Sequence, residues 1–285
     1  MTDTILSLCD VSYRYPDGTS ALSNCSLTIR RGSRTAVLGA NGAGKTTMFL
    51  HLNGILRPSA GQVCWEETPL DYSRSQLRHL RSRIGLVFQN PDSQLFSASV
   101  REDVSFGPMN LGLTEKHVRE RVEEALITVG MGTFADKPVH NLSYGQKKRV
   151  CIAGVLAMQP QVIVLDEPMA GLDATMQEEF TAVLERLHDS GMTIIVATHD
   201  LDFAYGWADE AIILQSGQVL AHGIPTETLQ QRDVQQELGA APLVAEITQR
   251  LSLIGIDLRD KDYLPRSKSE LLKAISAHTR QENKP

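Results

Sequence analysis

A chain of 285 residues can bury a sizeable core, and 42% hydrophobic against 22% charged residues is the balance expected of an ordinary soluble globular protein. Lys and Arg number 28 against 34 Asp and Glu, and the resulting net charge of −6 argues against a general nucleic-acid binder. No run reaches about 18 apolar residues, the length of a membrane span, and Cys9, Cys25, Cys64 and Cys151 form no C-x-x-C pair that would indicate zinc or a disulfide framework. Asp3 and Asp10 bracket the first apolar run, which does not follow the order of a signal peptide. The expectation is a cytosolic protein that reaches a membrane only through a partner.

In chain order, 5–15 alternates as a strand and Pro16-Asp17-Gly18 ends it with turn chemistry. A strand over 26–29 follows, and then a short apolar strand over 35–39 runs into a glycine-rich loop. A helix over 44–53 comes next, with Gly54 suited to its C-cap. The basic run 78–83 reads as a solvated helix face, and 147–149 is a second short basic run. The stretch 97–158 has helical periodicity: Val118, Val122, Ala125, Leu126 and Val129 recur three and four apart, and Gly130 closes that helix. Cys151 falls in an apolar helical pattern as a core residue. Strands over 162–165, 193–197 and 211–214 then alternate with helices over 174–188 and 201–207, which implies βαβ units and a mainly parallel, buried sheet. Four glutamines make 225–238 polar. Beyond it, Leu243, Val244, Ile247, Leu251 and Ile254 form a helical stripe, and 269–278 reads as a short helix. These features divide the chain into a main domain over 1–230, with a helical lobe over about 97–158, and a C-terminal helical appendage over 231–285.

Residues 39–47, G-A-N-G-A-G-K-T-T, fit the phosphate-loop pattern G-x-x-x-x-G-K-[ST]. Gly39, Gly42 and Gly44 let the backbone turn around phosphates. Asn41, Ala43 and Thr47 belong to the same cradle, and the helix that starts there adds its positive dipole end. Lys45 is suited to the β- and γ-phosphates of ATP, and the Thr46 hydroxyl to Mg²⁺. The apolar strand 162–165 ends in Asp166, which can hold magnesium through water, and Glu167, placed to orient an attacking water.

Leu142-Ser143-Tyr144-Gly145-Gln146, between these two elements and opening a helix, resembles the signature of ABC-transporter nucleotide-binding domains. Ala170-Gly171-Leu172-Asp173 resembles the family's D-loop, His199 its switch histidine, and Gln89 its Q-loop glutamine. Tyr15 is placed like the aromatic that stacks on adenine, with Tyr13 as the alternative. The likeness covers about 5–225. It departs from the family at Tyr144, where glycine is commonest, and at Met169, where Thr or Ser is frequent.

The resemblance implies a P-loop NTPase ABC cassette of the α/β class. It would have a mainly parallel sheet core, an antiparallel β subdomain, an inserted α-helical lobe and a small helical C-terminal appendage. It also implies a head-to-tail dimer with a second copy or a homologous cassette. Ser143, Gly145, Gln146 and Asp173 would help to complete the ATP sites across the interface. Glu167 would be the general base, His199 would contact the γ-phosphate, and Gln89 would reach magnesium and couple nucleotide state to the partner.

The segment Phe88-Gln89-Asn90-Pro91-Asp92-Ser93-Gln94-Leu95-Phe96 resembles energy-coupling-factor ATPases. Asp71-Tyr72-Ser73-Arg74, Phe106-Gly107-Pro108, Asn110-Leu111-Gly112 and the C-terminus resemble the cobalt-transport CbiO members. The implied partners are a transmembrane scaffold and a substrate-binding membrane subunit, reached from the cytoplasmic face of the membrane, and no nucleic acid. Leu95, Phe96 and Val100 either receive a scaffold helix or belong to the core. The C-terminal helices either help the ATPases dimerise or cap the sheet edge. A nickel or vitamin importer is the alternative within the class, and a soluble ABC ATPase acting on DNA or ribosomes is the alternative outside it. The eight histidines show no ligand spacing, so the cargo metal is not expected to bind to this chain.

Overall fold

Strands that are apolar on both faces need cover on both faces, and this chain supplies a different cover on each side. The computed structural model describes residues 3–258 and 264–282. The elements begin with β1 (Thr4–Arg14), β2 (Ser20–Arg30), β3 (Arg34–Leu38), α1 (Lys45–Leu52), β4 (Ala60–Trp65), β5 (Thr68–Pro69), α2 (Arg74–Arg83) and β6 (Ile84–Val87). Three helices come next, α3 (Val100–Asn110), α4 (Glu115–Thr128) and α5 (Tyr144–Leu156). The alternating stretch then runs β7 (Val162–Asp166), α6 (Ala174–Asp189), β8 (Thr193–Ala197), α7 (Leu201–Trp207), β9 (Glu210–Gln215) and β10 (Gln218–Gly223). The chain closes with α8 (Pro225–Thr228), α9 (Arg232–Leu238), α10 (Leu243–Leu253) and α11 (Lys268–Glu282).

The central sheet has the order β10-β9-β3-β8-β7-β6, parallel except for β10. Its strands sort their side chains by alternation. Val37, Val164, Ile195 and Ile212 face one core, shared with α1 and the antiparallel sheet β2-β1-β4-β5. Leu38, Ile163, Leu165, Ile194, Val196 and Ile213 face the other, shared with the helices. The lobe of α3, α4 and α5 is inserted between β6 and β7, and its apolar stripes, Val118 to Val129 and Val150 to Leu156, join this second core.

Several elements lie outside what periodicity picks out. β2 is longer than 26–29 because Cys25, Leu27 and Ile29 alternate inward and Ala21 and Leu22 are buried as well, while its outer face is polar. β4 is exposed over its first three residues, and its pairing, chiefly with β1 and at its end with β5, is what makes it a strand. β10 returns on β9 through Ser216 and Gly217, both with positive φ, the geometry of a tight hairpin turn. In α2 only Leu80 is buried, as a solvated basic helix requires.

The C-terminal helices need two corrections. Leu243 is half exposed at the first turn of α10, and Ile254 lies just past its end in solvent, so neither belongs to the inward stripe. Val244, Ala245 and Thr248 form its buried face instead, with Ile247 and Leu251 against the core. The polar stretch at 225–238 does not interrupt packing, since Leu229 and Val234 are fully buried in the helical-side core. The Arg266 guanidinium fastens this region to α7, donating to the backbone carbonyls of Tyr205 (3.0 Å) and Ala208.

Arg34 at the start of β3 ties three elements together. It donates to Asp209 Oδ1 (2.8 Å) beside β9 and to Glu185 (3.2 Å) on α6, while its own backbone N–H donates to Asp209 Oδ2 (2.9 Å). Burial raises the Asp209 pKa, but the hydrogen bonds and charge of Arg34 outweigh it, and the net direction is down from 3.8. A depressed carboxylate stabilises the fold above its unfolded pKa and loses that contribution as pH falls through the folded one. Asp209→Ala is therefore expected to cost about 1.5–3 kcal/mol in urea unfolding at neutral pH. The gap from wild type should close in acid, below 3.8.

Candidate functional site

Parallel strands that end at one level set out the site. Register pairs Val37 of β3 with Ala197 of β8, and Ala197 with Asp166 of β7. The loops leaving these strands are then stitched across: the Glu167 N–H donates to the Ala197 carbonyl (3.1 Å) and the Thr198 N–H to the Val37 carbonyl (3.1 Å). Three loops carrying Lys45, Glu167 and His199 are thereby fixed side by side.

The glycine-rich loop has no room for larger residues at two points. A Cβ on Gly39 (φ 147°) would stand 2.3 Å from the Leu214 carbonyl oxygen, and one on Gly44 (φ 106°) 2.6 Å from that of Ala21. Gly42 (φ 82°) faces open space, so only its backbone conformation demands glycine. Asn41 is exposed, whereas the Ala43 side chain is buried and can offer only its backbone to a ligand. Lys45 Nζ donates to the carbonyls of Gly39 (2.6 Å) and Ala40 (3.2 Å) and lies 3.5 Å from His199 Nε2.

Thr46 Oγ1 donates to Asp166 Oδ2 at 2.6 Å, placing a hydroxyl and a carboxylate on one point. Glu167 Oε1 is 3.1 Å from His199 Nε2, yet this buried oxygen accepts no hydrogen bond among the described residues. The backbone of Glu167 is left-handed at φ 48°, an unfavourable state of about 1–3 kcal/mol that surrounding contacts must enforce. Burial raises the Glu167 pKa against the opposing pull of Lys45. Burial lowers Lys45 despite both carboxylates, and burial with the Lys45 charge lowers His199. The cluster therefore holds an ammonium, a hard-oxygen pair and a partly desolvated carboxylate with an unused acceptor, a set suited to a phosphate, a divalent cation and a water.

The two tyrosines behave differently. Tyr13 packs edge-on to the buried His51 ring (4.9 Å) and joins the core, whereas Tyr15 turns to the loop, its hydroxyl 3.0 Å from Thr47 Oγ1. Ser143, Gly145 and Gln146 line a separate cavity of about 240 Å³ with Leu172 and Met176, and none of the loop residues 39–47 shares it. Ser143 and Gln146 form a reciprocal capping box at the start of α5, and Asp173 caps α6 by accepting from the Met176 N–H (2.8 Å). Gln89 is exposed, and its carbonyl accepts from the Tyr144 hydroxyl (3.4 Å).

Lys148, within the second basic run, is a residue that the motifs did not single out. It is buried beneath the loop that follows β7, and its position on the same face of α5 as Cys151, Ile152 and Val155 was the available signal.

A cleft of about 680 Å³ opens between the sheet and the helical lobe, lined by Ile55, Leu77, Phe88, Phe96, Phe106 and Met158 among others. Phe96 (66% exposed) and Phe106 (51%) meet edge-on at 4.8 Å on its rim. Val100 is fully buried in the core and Leu95 packs against it, so of the three apolar residues near Gln89 only Phe96 is free for a partner. Val100 starts α3 pointing into the lobe, which is why it is lost to the surface.

Comparison with known proteins matches the family "ABC transporter" over residues 22–170. The chain is 45% identical over 269 residues to the energy-coupling factor transporter ATP-binding protein EcfA of Methanothermobacter thermautotrophicus, covering 94% of this chain and 86% of that one. Among solved structures it resembles cbiO1 from Clostridium perfringens, described as part of the ABC transporter complex cbiONQ. The TM-score is 0.75 and the identity 45%, covering 89% of this chain and 98% of that one. It also resembles the dimeric post-hydrolysis ATP-binding cassette MJ0796 bound to ADP and Pi, with a TM-score of 0.70 and 28% identity, over 78% and 99% of the two chains.

The glycine geometry predicts graded losses. Gly39→Ala should weaken the binding of a fluorescent ATP analogue by about tenfold or more, because the added carbon forces the loop from the Leu214 carbonyl. Gly42→Ala, strained in backbone but not crowded, should cost less. Equal affinities for both variants and wild type would contradict this reading of the loop.

Proposed function

The chain belongs to the ABC transporter family, as an ATP-binding subunit of the energy-coupling factor type, and on that premise we propose that it hydrolyses ATP to drive import of cobalt(II). The observation that carries the ATPase reading is the convergence of Lys45, Thr46, Asp166, Glu167 and His199 at the ends of three adjacent strands. The cobalt assignment rests on the segment resemblances at 71–74, 88–96 and 106–112 and on the likeness to cbiO1.

In this reading the glycine-loop N–H groups and Lys45 hold the β- and γ-phosphates, and Tyr15 stacks on adenine, Tyr13 being engaged with His51. Magnesium fits the Thr46 hydroxyl and the Asp166 carboxylate, with Gln89 as a further oxygen donor, and it would neutralise charge on the phosphates. The unused Glu167 Oε1 accepts the proton of the attacking water, and the neighbouring His199 meets the γ-phosphate. Ser143 and Gly145 stand apart from the phosphate loop of their own chain, which supports a role in the site of a second copy or a homologous cassette, together with Gln146 and Asp173. The similarity to a dimeric cassette supports the same arrangement.

The exposed Phe96 and Phe106 and the cleft behind them suit an amphipathic helix of a transmembrane scaffold subunit. None of the described helices is long and apolar enough to cross a membrane, so attachment through that scaffold and a substrate-binding membrane subunit makes the chain a peripheral component on the cytoplasmic face.

Glu167→Gln should reduce ATP turnover by about 10²-fold or more while ATP binding persists, and near-normal turnover would refute the base assignment. Because burial raises the Glu167 pKa in the free chain, the acid limb of the kcat/KM profile should lie above the ordinary carboxylate value of 4.5. Purification of the tagged chain from native membranes tests the cargo. Recovery of a scaffold with a cobalt-type membrane subunit, and cobalt uptake dependent on Glu167, are expected. Recovery of small vitamin-binding membrane proteins, or of a nickel-specific subunit, would refute cobalt and leave the ATPase standing.

A further inference from the structure

The loop after β7 turns out of the sheet through a strained residue and then curls back, leaving several carbonyls facing inward. Lys148 fills that curl. Its side chain is 2% exposed, and its ammonium donates to the carbonyls of Glu167 (3.1 Å), Pro168 (2.8 Å) and Ala170 (2.7 Å). These are all three donors that an ammonium has. The Tyr144 ring stands over it, 5.2 Å from Nζ to the centroid.

Glu167 is thus held at both ends of its own backbone: its N–H donates to the Ala197 carbonyl of β8, and its carbonyl accepts from Lys148 of α5 and from the Ala170 N–H (3.2 Å) of its own loop. A left-handed glutamate persists only where the surroundings over-determine it, and these three bonds do so, the Lys148 bond being the one that comes from α5. With the backbone clamped, the direction in which the carboxylate leaves the chain is set.

The clamp reaches further along α5. Tyr144, one turn before Lys148, lies against Gly171, where an added Cβ would come 3.0 Å from its ring, and its hydroxyl donates to the Gln89 carbonyl. One turn of helix therefore touches the loop of Glu167, the loop before Asp173 and the segment of Gln89. Burying an ammonium is costly, and here burial pushes the Lys148 pKa down to about 8 despite the Glu167 charge. A methionine would fill the same space without that cost but would leave the Pro168 and Ala170 carbonyls without their donor, and the Glu167 carbonyl with only the Ala170 N–H (3.2 Å).

We propose that Lys148 is a positioning residue that aims the Glu167 carboxylate and makes that aim depend on the orientation of α5, the helix whose first turn carries Ser143 and Gly145. When those residues meet nucleotide held by a second cassette, movement of α5 is passed through Lys148 to the base in its own chain. This inference rests on Glu167 being the base.

The test uses the transporter complex carrying wild-type chain, Lys148→Met, Glu167→Gln or both. Lys148→Met should lower kcat by about 10- to 100-fold, the cost of misplacing a reacting group, while KM for ATP and ADP affinity stay within about twofold. In the Glu167→Gln background, adding Lys148→Met should change the single-turnover rate by less than about twofold, since a residue acting through the base has nothing left to aim. A kcat within about twofold of wild type overturns the proposal, as does a loss that multiplies in the double variant. If Lys148→Met does not fold, Lys148→Arg decides: its planar fork cannot place three donors at one point, so kcat should fall severalfold at unchanged KM, and a wild-type kcat overturns the role. Near-normal turnover in Glu167→Gln would instead defeat the base assignment, whereas an inactive Glu167→Gln beside an unimpaired Lys148→Met defeats only the positioning role.

Discussion

The cross-strand hydrogen bonds at the C-terminal ends of β3, β8 and β7 are the constraint on which everything else depends. Each loop taken alone is an ordinary strand exit. Stitched together through Val37, Ala197 and the backbone of Glu167, the three exits put a lysine, a threonine–aspartate pair, a glutamate and a histidine within a few ångströms. The two cores stabilise this arrangement from opposite faces. Val37, Val164 and Ile195 anchor the strands to the α1 side, and their neighbours Leu38, Leu165 and Val196 to the helical side. Slipping any of these strands by one residue would turn its apolar set to the wrong layer and move the loop that leaves it at the same time.

Two consequences follow for chemistry. Burial shifts Lys45 and His199 down and Glu167 up, so the cluster carries charges that are only partly solvated and ready to meet the charge of a phosphate. The residues of the signature stand elsewhere in the same chain, on their own cavity beside Leu172 and Met176. The proposed role of Ser143 and Gly145 in the site of a second cassette would make turnover respond to how two chains meet. The proposed Lys148 link would let one helix report that meeting to the base.

The surface divides along similar lines. The sheet–lobe cleft, with Phe96 and Phe106 on its rim, is apolar where a membrane partner is proposed to dock. The C-terminal helices pack through Val234, Val244, Ala245 and Leu271 into the helical-side core, while Leu253, Ile254 and Leu272 are left in solvent.

The sequence by itself determined the elements whose signals are local. The strands over 193–197 and 162–165, the helix over 201–207 and the glycine loop are legible because alternation, helical spacing and positive-φ glycines are properties of neighbouring residues. Lys45, Thr46, Asp166, Glu167 and His199 stand out as candidates for the same reason, each in a short motif at or after a strand end, whereas Ser143, Gly145, Gln146 and Asp173 mark helix starts. Tertiary structure alone decided whatever depends on residues distant in sequence. β4 is a strand because β1 pairs with it, Val100 is core while Phe96 is surface because α3 turns one inward, and Tyr13 is spoken for by His51. Lys148 shows the limit most plainly: in sequence it is one of three consecutive cations, and only the fold brings three carbonyls from 19 to 22 residues away around its ammonium. Helical spacing can hint that Lys148 faces inward, but hydrogen bonding over that separation is not encoded in any local pattern, because its energy exists only once the chain has closed on itself.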